Sequence, residues 1–287
     1  MSLMVGRISY FPDDSNLRNI RKNVEQRSRD DLISILPDDV RMIKIAQNYK
    51  ENEIDNSLED VLCYSKLGVS RARNIIMKKF YESDFDYLLI NDDDNAFYNY
   101  YHIDRFFKIL SETDCKSFIE NGIHCVRPIE PQYEPFKKEN KKLNCDNRFV
   151  FKQCSLSNLT GAFLLINFKK YFGREFYFNE EMKVNIEKDA ECEILDFLIV
   201  LMKEGYNCLC LRNMILKNTT TSTGRSTIFE GSDDIDRHFY QMVNNTCRKY
   251  NVPIINNRRQ YSKVLPYFKG KISFNLNGEF ENEYLLL

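Results

Sequence analysis

The sequence has no apolar run of bilayer-spanning length, no Cys-x-x-Cys pair and no excess of either charge, and each absence narrows what the chain can be. The longest apolar candidate, Ile194 to Met202, is interrupted by Asp196 and followed by Lys203-Glu204. A membrane helix needs about 20 predominantly apolar residues, so no membrane span is expected. The start, Met1-Ser2-Leu3-Met4, lacks the basic-then-apolar order of a secretory signal. Nine cysteines is an odd number, and without paired zinc spacing they read as reduced thiols rather than a disulfide framework or a zinc site. A reducing, cytoplasmic setting is the expectation. Lys+Arg at 41 against Asp+Glu at 42 leaves a net charge of -1, which gives no global argument for nucleic-acid binding. Glycine and proline are scarce while Asn, Lys, Ile and Tyr are abundant, a bias that suggests an AT-rich genome such as that of a virus or phage.

What is present supports a substantial core. Hydrophobic residues make up 43% of the 287-residue chain and aromatics 13%, enough for one large α/β domain with an appended C-terminal piece. Strand-like runs at residues 5–11, 40–46, 61–64 and 87–90 alternate with helix patterns starting near Ser15, at 29–36, at 68–80 and at 102–110. That alternation predicts a wound, mostly parallel sheet flanked by helices. Farther on, 159–166 reads as a strand, 193–204 as a helix closed by Gly205, and 208–211 as the strand after it. We therefore expect a catalytic domain over residues 4–216, a flexible polar loop over 217–235, and a basic C-terminal extension over 236–287 that packs on the domain.

The chemistry concentrates at Asn91-Asp92-Asp93-Asp94-Asn95, directly after the buried run Tyr87-Leu88-Leu89-Ile90. In a wound sheet, strand C-termini face the ligand crevice. Three carboxylates there repel one another unless a cation relieves them. A hard ion, Mg2+ or Mn2+, takes carboxylate and phosphate oxygens, so the protein supplies one or two ligands. Asp92 and Asp94, one residue apart, are the metal candidates. The plain alternative is a polar turn capping the next helix.

Context sharpens this. Gly68-Val69-Ser70-Arg71-Ala72-Arg73-Asn74, a helix, and then Asp86 to Asp94 resemble the GT-A fold glycosyltransferases of the broad family-2-like group. A second block agrees: Leu159-Thr160-Gly161-Ala162-Phe163, Phe178-Asn179-Glu180-Glu181, and Lys188-Asp189-Ala190-Glu191 before a helix ending in Gly205-Tyr206. The resemblance covers residues 5 to about 216. It implies an enzyme, a hexosyltransferase that moves a sugar from a nucleotide-sugar, UDP-glucose for preference, to a hydroxyl acceptor with inversion. It implies that Arg73, flanked by Arg71 and Asn74, lies near the donor diphosphate together with Asp92 and Asp93. It further implies that Asp189 or Glu191 is the catalytic base, with Glu187 less favoured. Plain alternatives are a solvated Arg73 and an acidic helix start that merely complements the helix dipole.

The match also departs from the family. Lys188-Asp189 stands where Glu-Asp is usual. The strand run Met214 to Asn218 after the 193–204 helix has no histidine to serve as a further metal ligand, and His238, the one substitute, reads more readily as a surface residue. Gln47-Asn48 replaces the usual acidic contact to the base, so the nucleobase stays open. The loop Thr219 to Ser226 is either a donor lid, with Arg225 on phosphate, or a surface loop. The basic tail, from Arg237 to Lys271 with Tyr240, Tyr250, Tyr261, Tyr267 and Phe268 interleaved, resembles what phage enzymes that glycosylate hydroxymethylated pyrimidines in DNA would need. A DNA acceptor is therefore the sharpest partner reading, against a glycan, lipid-linked or protein acceptor. Other classes are a nucleotidyl- or phosphotransferase and a catalytically silent nucleotide-sugar-binding protein. The oligomeric state is not legible.

Overall fold

In a computed structural model of the protein, the described residues are 2–98, 102–113, 115–129, 148–153, 161–182, 190–218, 235–252, 271–275 and 280–283. The chain opens with β1 (Leu3–Tyr10), α1 (Ser15–Ile33), β2 (Arg41–Gln47), a 3-10 turn (Glu51–Glu53), β3 (Asp60–Tyr64), α2 (Val69–Tyr81) and β4 (Tyr87–Asp92). It continues with β5 (Asn95–Phe97), α3 (Ile103–Glu112), α4 (Lys116–Glu120), β6 (Cys125–Ile129), β7 (Arg148–Gln153), β8 (Phe163–Ile166) and α5 (Phe168–Phe172). The last elements are α6 (Glu193–Lys203), β9 (Cys208–Asn218), α7 (Ile235–Lys249), β10 (Lys271–Asn275) and β11 (Phe280–Glu283). One sheet runs in the order β11-β10-β7-β9-β6-β8-β4-β1-β2-β3, with β5 paired to β9 off that path.

The winding is parallel where βαβ units build it: β4, β1, β2 and β3 pair in parallel. Beyond β4 it is not. β8 runs antiparallel to both β4 and β6, and β7 antiparallel to β9, while β6 and β9 are parallel. The parallel expectation thus holds for the N-terminal half, and the other half of the sheet is mixed. β10 and β11, from the C-terminal stretch, extend the same sheet through β7. Residues 15–33 form one helix where two were expected. Nothing between Ser15 and Ile33 breaks it, and Asp14 caps its start by accepting from the Asn16 and Leu17 amides at 2.9 Å.

Side chains alternate across β1, which sorts the helices to the two faces. A Cβ on Gly6 would stand 2.3 Å from Ile76 Cγ2, so Gly6 faces α2 and lets it approach. Its neighbour Arg7 reaches the other way, donating to Glu25 of α1 at 2.9 Å. The α2 face is apolar: Ile8, Ile43, Ile45 and Ile90 are buried there with Ala72, Ile76, Met77 and Phe80. Burying each large side chain stabilises by roughly 1.5–3 kcal/mol. Toward the crevice the α1 face is polar and equally buried: Arg7, Ser9, Lys44, Asn91 and Asp93 lie under Arg18, Glu25, Ser28 and Arg29. α6 is buried almost all round and forms the centre of the second half.

Candidate active site

The alternation that sorts the helices also splits the acidic cluster. Asp92 ends β4 on the α2 face, where Arg73 donates to its Oδ1 at 3.0 Å. Asp93 turns to the α1 face and accepts from Ser9 Oγ at 2.6 Å and from Arg21. Its own amide donates to the Ile8 carbonyl at 3.0 Å, which prolongs the β1–β4 register past the strand end. Asn91 closes the turn by donating to the Asn95 carbonyl at 2.8 Å. Asp94 then stands 3.6 Å from the Arg21 guanidinium. Three consecutive carboxylates therefore go to two guanidiniums from helices on opposite faces of the sheet.

Arg73 is fully buried and holds two acids at once. One Nη takes Asp92, and the other donates to Glu193 Oε1 at 2.8 Å, while the guanidinium carbon lies 5.3 Å from the Phe178 ring centre. Its Nε has no hydrogen-bond partner among the described residues. Burial works to lower the Arg73 pKa, but Asp92 and Glu193 outweigh it and keep the group charged. Gly161 completes the cradle: a Cβ there would fall 1.6 Å from Asp92 Oδ2, so only glycine leaves room for that carboxylate. Asn74 and Arg71 are engaged one step away. Asn74 exchanges hydrogen bonds with the Phe178 backbone at 2.7 and 2.8 Å and reaches Glu180, and the exposed Arg71 meets Glu180 at 3.2 Å. Both brace the segment that carries Phe178 against Arg73.

The charge balance of the cluster suits a divalent cation. Asp92, Asp93, Asp94 and Glu193 gather four carboxylates around the guanidiniums of Arg73 and Arg21. Asp92 and Asp94 keep 30% and 21% of their side-chain surface exposed, whereas Asp93 keeps 5%. Burial pushes the Asp94 carboxyl up to about 7, with Asp93 adding to it and Arg21 opposing it. Burial also raises Asp92, against the pull of Arg73. Such strain is what a cation relieves. No three His, Cys, Asp or Glu side chains converge on one point among the described residues. A hard ion at Asp92 and Asp94 would need its remaining ligands from phosphate or water.

Of the two carboxylates expected as base, Asp189 lies outside the described residues, as do Glu187, Lys188 and Arg225. Glu191 is described: Lys249 of α7 contacts its Oε2 at 3.1 Å. His238 falls on α7, and Arg258, Arg259, Lys263, Tyr261, Tyr267 and Phe268 lie outside the described residues. Gln47 Oε1 accepts from the amides of Leu67 and Gly68, which pins the loop into α2 to the end of β2. Asn48, in the left-handed region at φ 59°, is held by Phe11, Asp13 and Arg18. Sequence reasoning missed Arg21, Ser9, Glu193 and Gly161. Glu193 had a signal, an acid in the first turn of the best helix. Arg21 had a faint one, its place on the helix face that also carries Leu17, Ile20 and Val24.

No protein-family model matches the chain, and no curated protein does. Solved structures do match. The mannosyltransferase PcManGT from Pyrobaculum calidifontis, in complex with GDP-Man and Mn2+, aligns with a TM-score of 0.51 over 88% of this chain. GalNAc-T7 with UDP, GalNAc and Mn2+ aligns with a TM-score of 0.54, again over 88%. The chain has the GT-A fold. Identity is 9% to the first and 13% to the second, so the likeness is one of fold. The chain spans 65% of the mannosyltransferase's length and 48% of GalNAc-T7's. On the GT-A sheet, the Asp92–Asp94 turn sits at the carboxyl end of a parallel strand, where open α/β sheets take their ligands.

Proposed function

We propose that the protein is a metal-dependent glycosyltransferase that moves a sugar from a nucleotide-sugar to a hydroxyl acceptor. One observation carries this reading: a single buried guanidinium, Arg73, joins the acid at the end of β4 to the acid at the start of α6 on a GT-A sheet. Both GT-A neighbours were solved with Mn2+ and a nucleotide or nucleotide-sugar, which supports the same donor class here. Asp92 and Asp94 would hold Mn2+ or Mg2+, which when bound supplies positive charge against the leaving diphosphate. Arg73 orients Asp92 and adds a fixed cationic charge beside it. Asp93, tied to Ser9 and Arg21, holds the turn in place rather than reaching outward.

An inverting transfer needs a carboxylate that takes the proton from the attacking hydroxyl. We assign that role to Asp189, with Glu191 as second choice. UDP-glucose is the donor we favour. For the acceptor we favour a hydroxymethylated or glucosylated pyrimidine in DNA, on the strength of the basic C-terminal sequence, over a glycan, lipid-linked sugar or protein. The test is a screen of nucleotide-sugars with Mn2+ for donor hydrolysis, run on the wild type and on Asp94→Ala. Turnover in the wild type that Asp94→Ala loses supports the reading. Equal turnover in both sinks the metal assignment, and turnover of nucleoside triphosphates alone moves the chain to the phosphotransferases.

A further inference from the structure

Helix α7 follows the 4–216 stretch expected to be catalytic, yet several of its polar contacts fall on one short segment of the site. Asn245 Nδ2 donates to the Ala190 carbonyl at 2.9 Å. The Cys192 amide donates to Thr246 Oγ1 at 2.8 Å, and that hydroxyl donates onward to the Met242 carbonyl at 2.9 Å. Lys249 Nζ bridges Glu191 at 3.1 Å and Asp196 at 2.9 Å, and the Tyr250 hydroxyl adds a 2.7 Å bond to Asp196. Met242, Val243, Cys247 and Val252 are buried beneath these contacts. The segment so held, 190–196, is the corner that starts α6 and contains Glu193, the acid paired to Arg73.

The corner needs such a clamp. Cys192, at the N-cap of α6, makes no side-chain cap, so the first turn relies on Thr246 to satisfy the Cys192 amide. Glu191, Glu193 and Asp196 bring three carboxylates within six residues. Arg73 takes one and Lys249 takes the other two. Asp196 is nearly fully buried, so without a cation beside it the corner would expel it toward water.

We infer that Lys249, backed by Thr246, is a positioning residue for sugar transfer: α7 fixes the 190–196 corner and through Glu193 and Arg73 fixes Asp92. This rests on the glycosyltransferase reading. It also gives the basic C-terminal sequence a second use, since Lys249, a third exposed, is paired with Glu191 and Asp196.

The experiment combines steady-state kinetics of nucleotide-sugar hydrolysis with hydrogen exchange on the full chain, for wild type, Lys249→Met, Lys249→Arg and Thr246→Val. Lys249→Met is expected to lower kcat about tenfold with donor KM within about twofold, because acids displaced by a fraction of an ångström lose the transition state before they lose the substrate. Lys249→Arg restores most of kcat, and both Lys249→Met and Thr246→Val speed exchange at 190–196 while β4 is unchanged. Unaltered kcat and exchange in Lys249→Met overturn the inference. So does a proportional loss of kcat, donor binding and melting temperature that arginine fails to rescue, which marks a merely structural contact. A wild type that turns over no nucleotide-sugar overturns the glycosyltransferase reading instead, and exchange at 190–196 then decides the clamp alone.

Discussion

The two faces of β1, β2 and β4 solve burial in opposite ways. On the α2 face, apolar side chains interlock, down to the Gly6 notch that admits Ile76. On the α1 face, near the crevice, Arg7 and Lys44 sit fully buried among Glu25 and Glu59, with contacts from 2.8 to 3.4 Å. Ser9 links the Tyr49 hydroxyl, 2.6 Å away, to Asp93, so the ionic cluster runs into the acidic turn. A buried ion cluster is poor value for stability alone, since desolvation offsets most of its Coulomb gain. Its use is directional. An apolar face tolerates small slips, whereas a network of paired charges has one low-energy arrangement and hands it on to Asp93.

The largest effect is expected where that network loses one member. Arg7→Met leaves Glu25 and Glu59 buried with only Lys44, and should destabilise the fold by about 3–5 kcal/mol. Ile76→Val, the matching change on the apolar face, should reduce stability by about 0.5–1.5 kcal/mol. Denaturant unfolding measures both, and equal losses would break the contrast between the faces.

Next comes Gly161→Ala. The new methyl needs the space of the Asp92 carboxylate, so the acid must turn away from Arg73. Loss of such a support is expected to weaken Mn2+ binding about 10- to 100-fold, and to lower the melting temperature less than Arg7→Met does because Arg73 keeps Glu193. Calorimetric titration with Mn2+ and UDP reads it, and wild-type affinity would remove Asp92 from the metal side.

A smaller, graded effect follows from Asp94, whose carboxyl is pushed up to about 7. The unfolded chain releases that proton near the ordinary carboxylate value, so the folded state holds more protons between about pH 4 and about pH 7. Its stabilising share is therefore complete at the acid end of that window and lost as pH rises through the folded value. The metal-free wild type should lose melting temperature from about pH 4 to about pH 7 relative to Asp94→Asn, and Mn2+ should narrow the gap. Cation affinity should rise across the same range, by at most about tenfold per pH unit. A pH-independent difference between the two proteins would remove Asp94 as the titrating group.

What could be read from the sequence follows the same division. The α2 face was legible: Ile8, Ile90 and the Ile76–Phe80 stripe carry the apolar periodicity that defines strands and helices, and the resemblance around Arg73 and Asp92 lay on it. The α1 face was not. Arg7, Ser9 and Lys44 alternate with apolar residues, which reads as a solvated strand face, and the apolar spacing of α1, Leu17-Ile20-Val24, gives way to Ser28. Their burial depends on partners 18 to 84 residues away that no local window contains. The antiparallel pairing of β8 was equally hidden, because a four-residue apolar run has no direction until its neighbours are known.

The smallest expected effect sits at the rim and decides a role that stability cannot. Arg71 is exposed and meets the half-exposed Glu180, a pair of the kind worth up to about 1 kcal/mol. Arg71→Ala should therefore leave the unfolding midpoint almost unmoved. Asn74→Ala, which removes two backbone bonds to Phe178, should lose about 1–3 kcal/mol and loosen the ring over Arg73. Donor affinity then separates the two. If Arg71→Ala binds UDP-sugar as the wild type does, Arg71 only braces Glu180 and gives the diphosphate no cationic help. A tenfold or greater loss at an unchanged midpoint would mean that Arg71 leaves Glu180 for phosphate, since about 1.4 kcal/mol of affinity has no other source when the fold is intact.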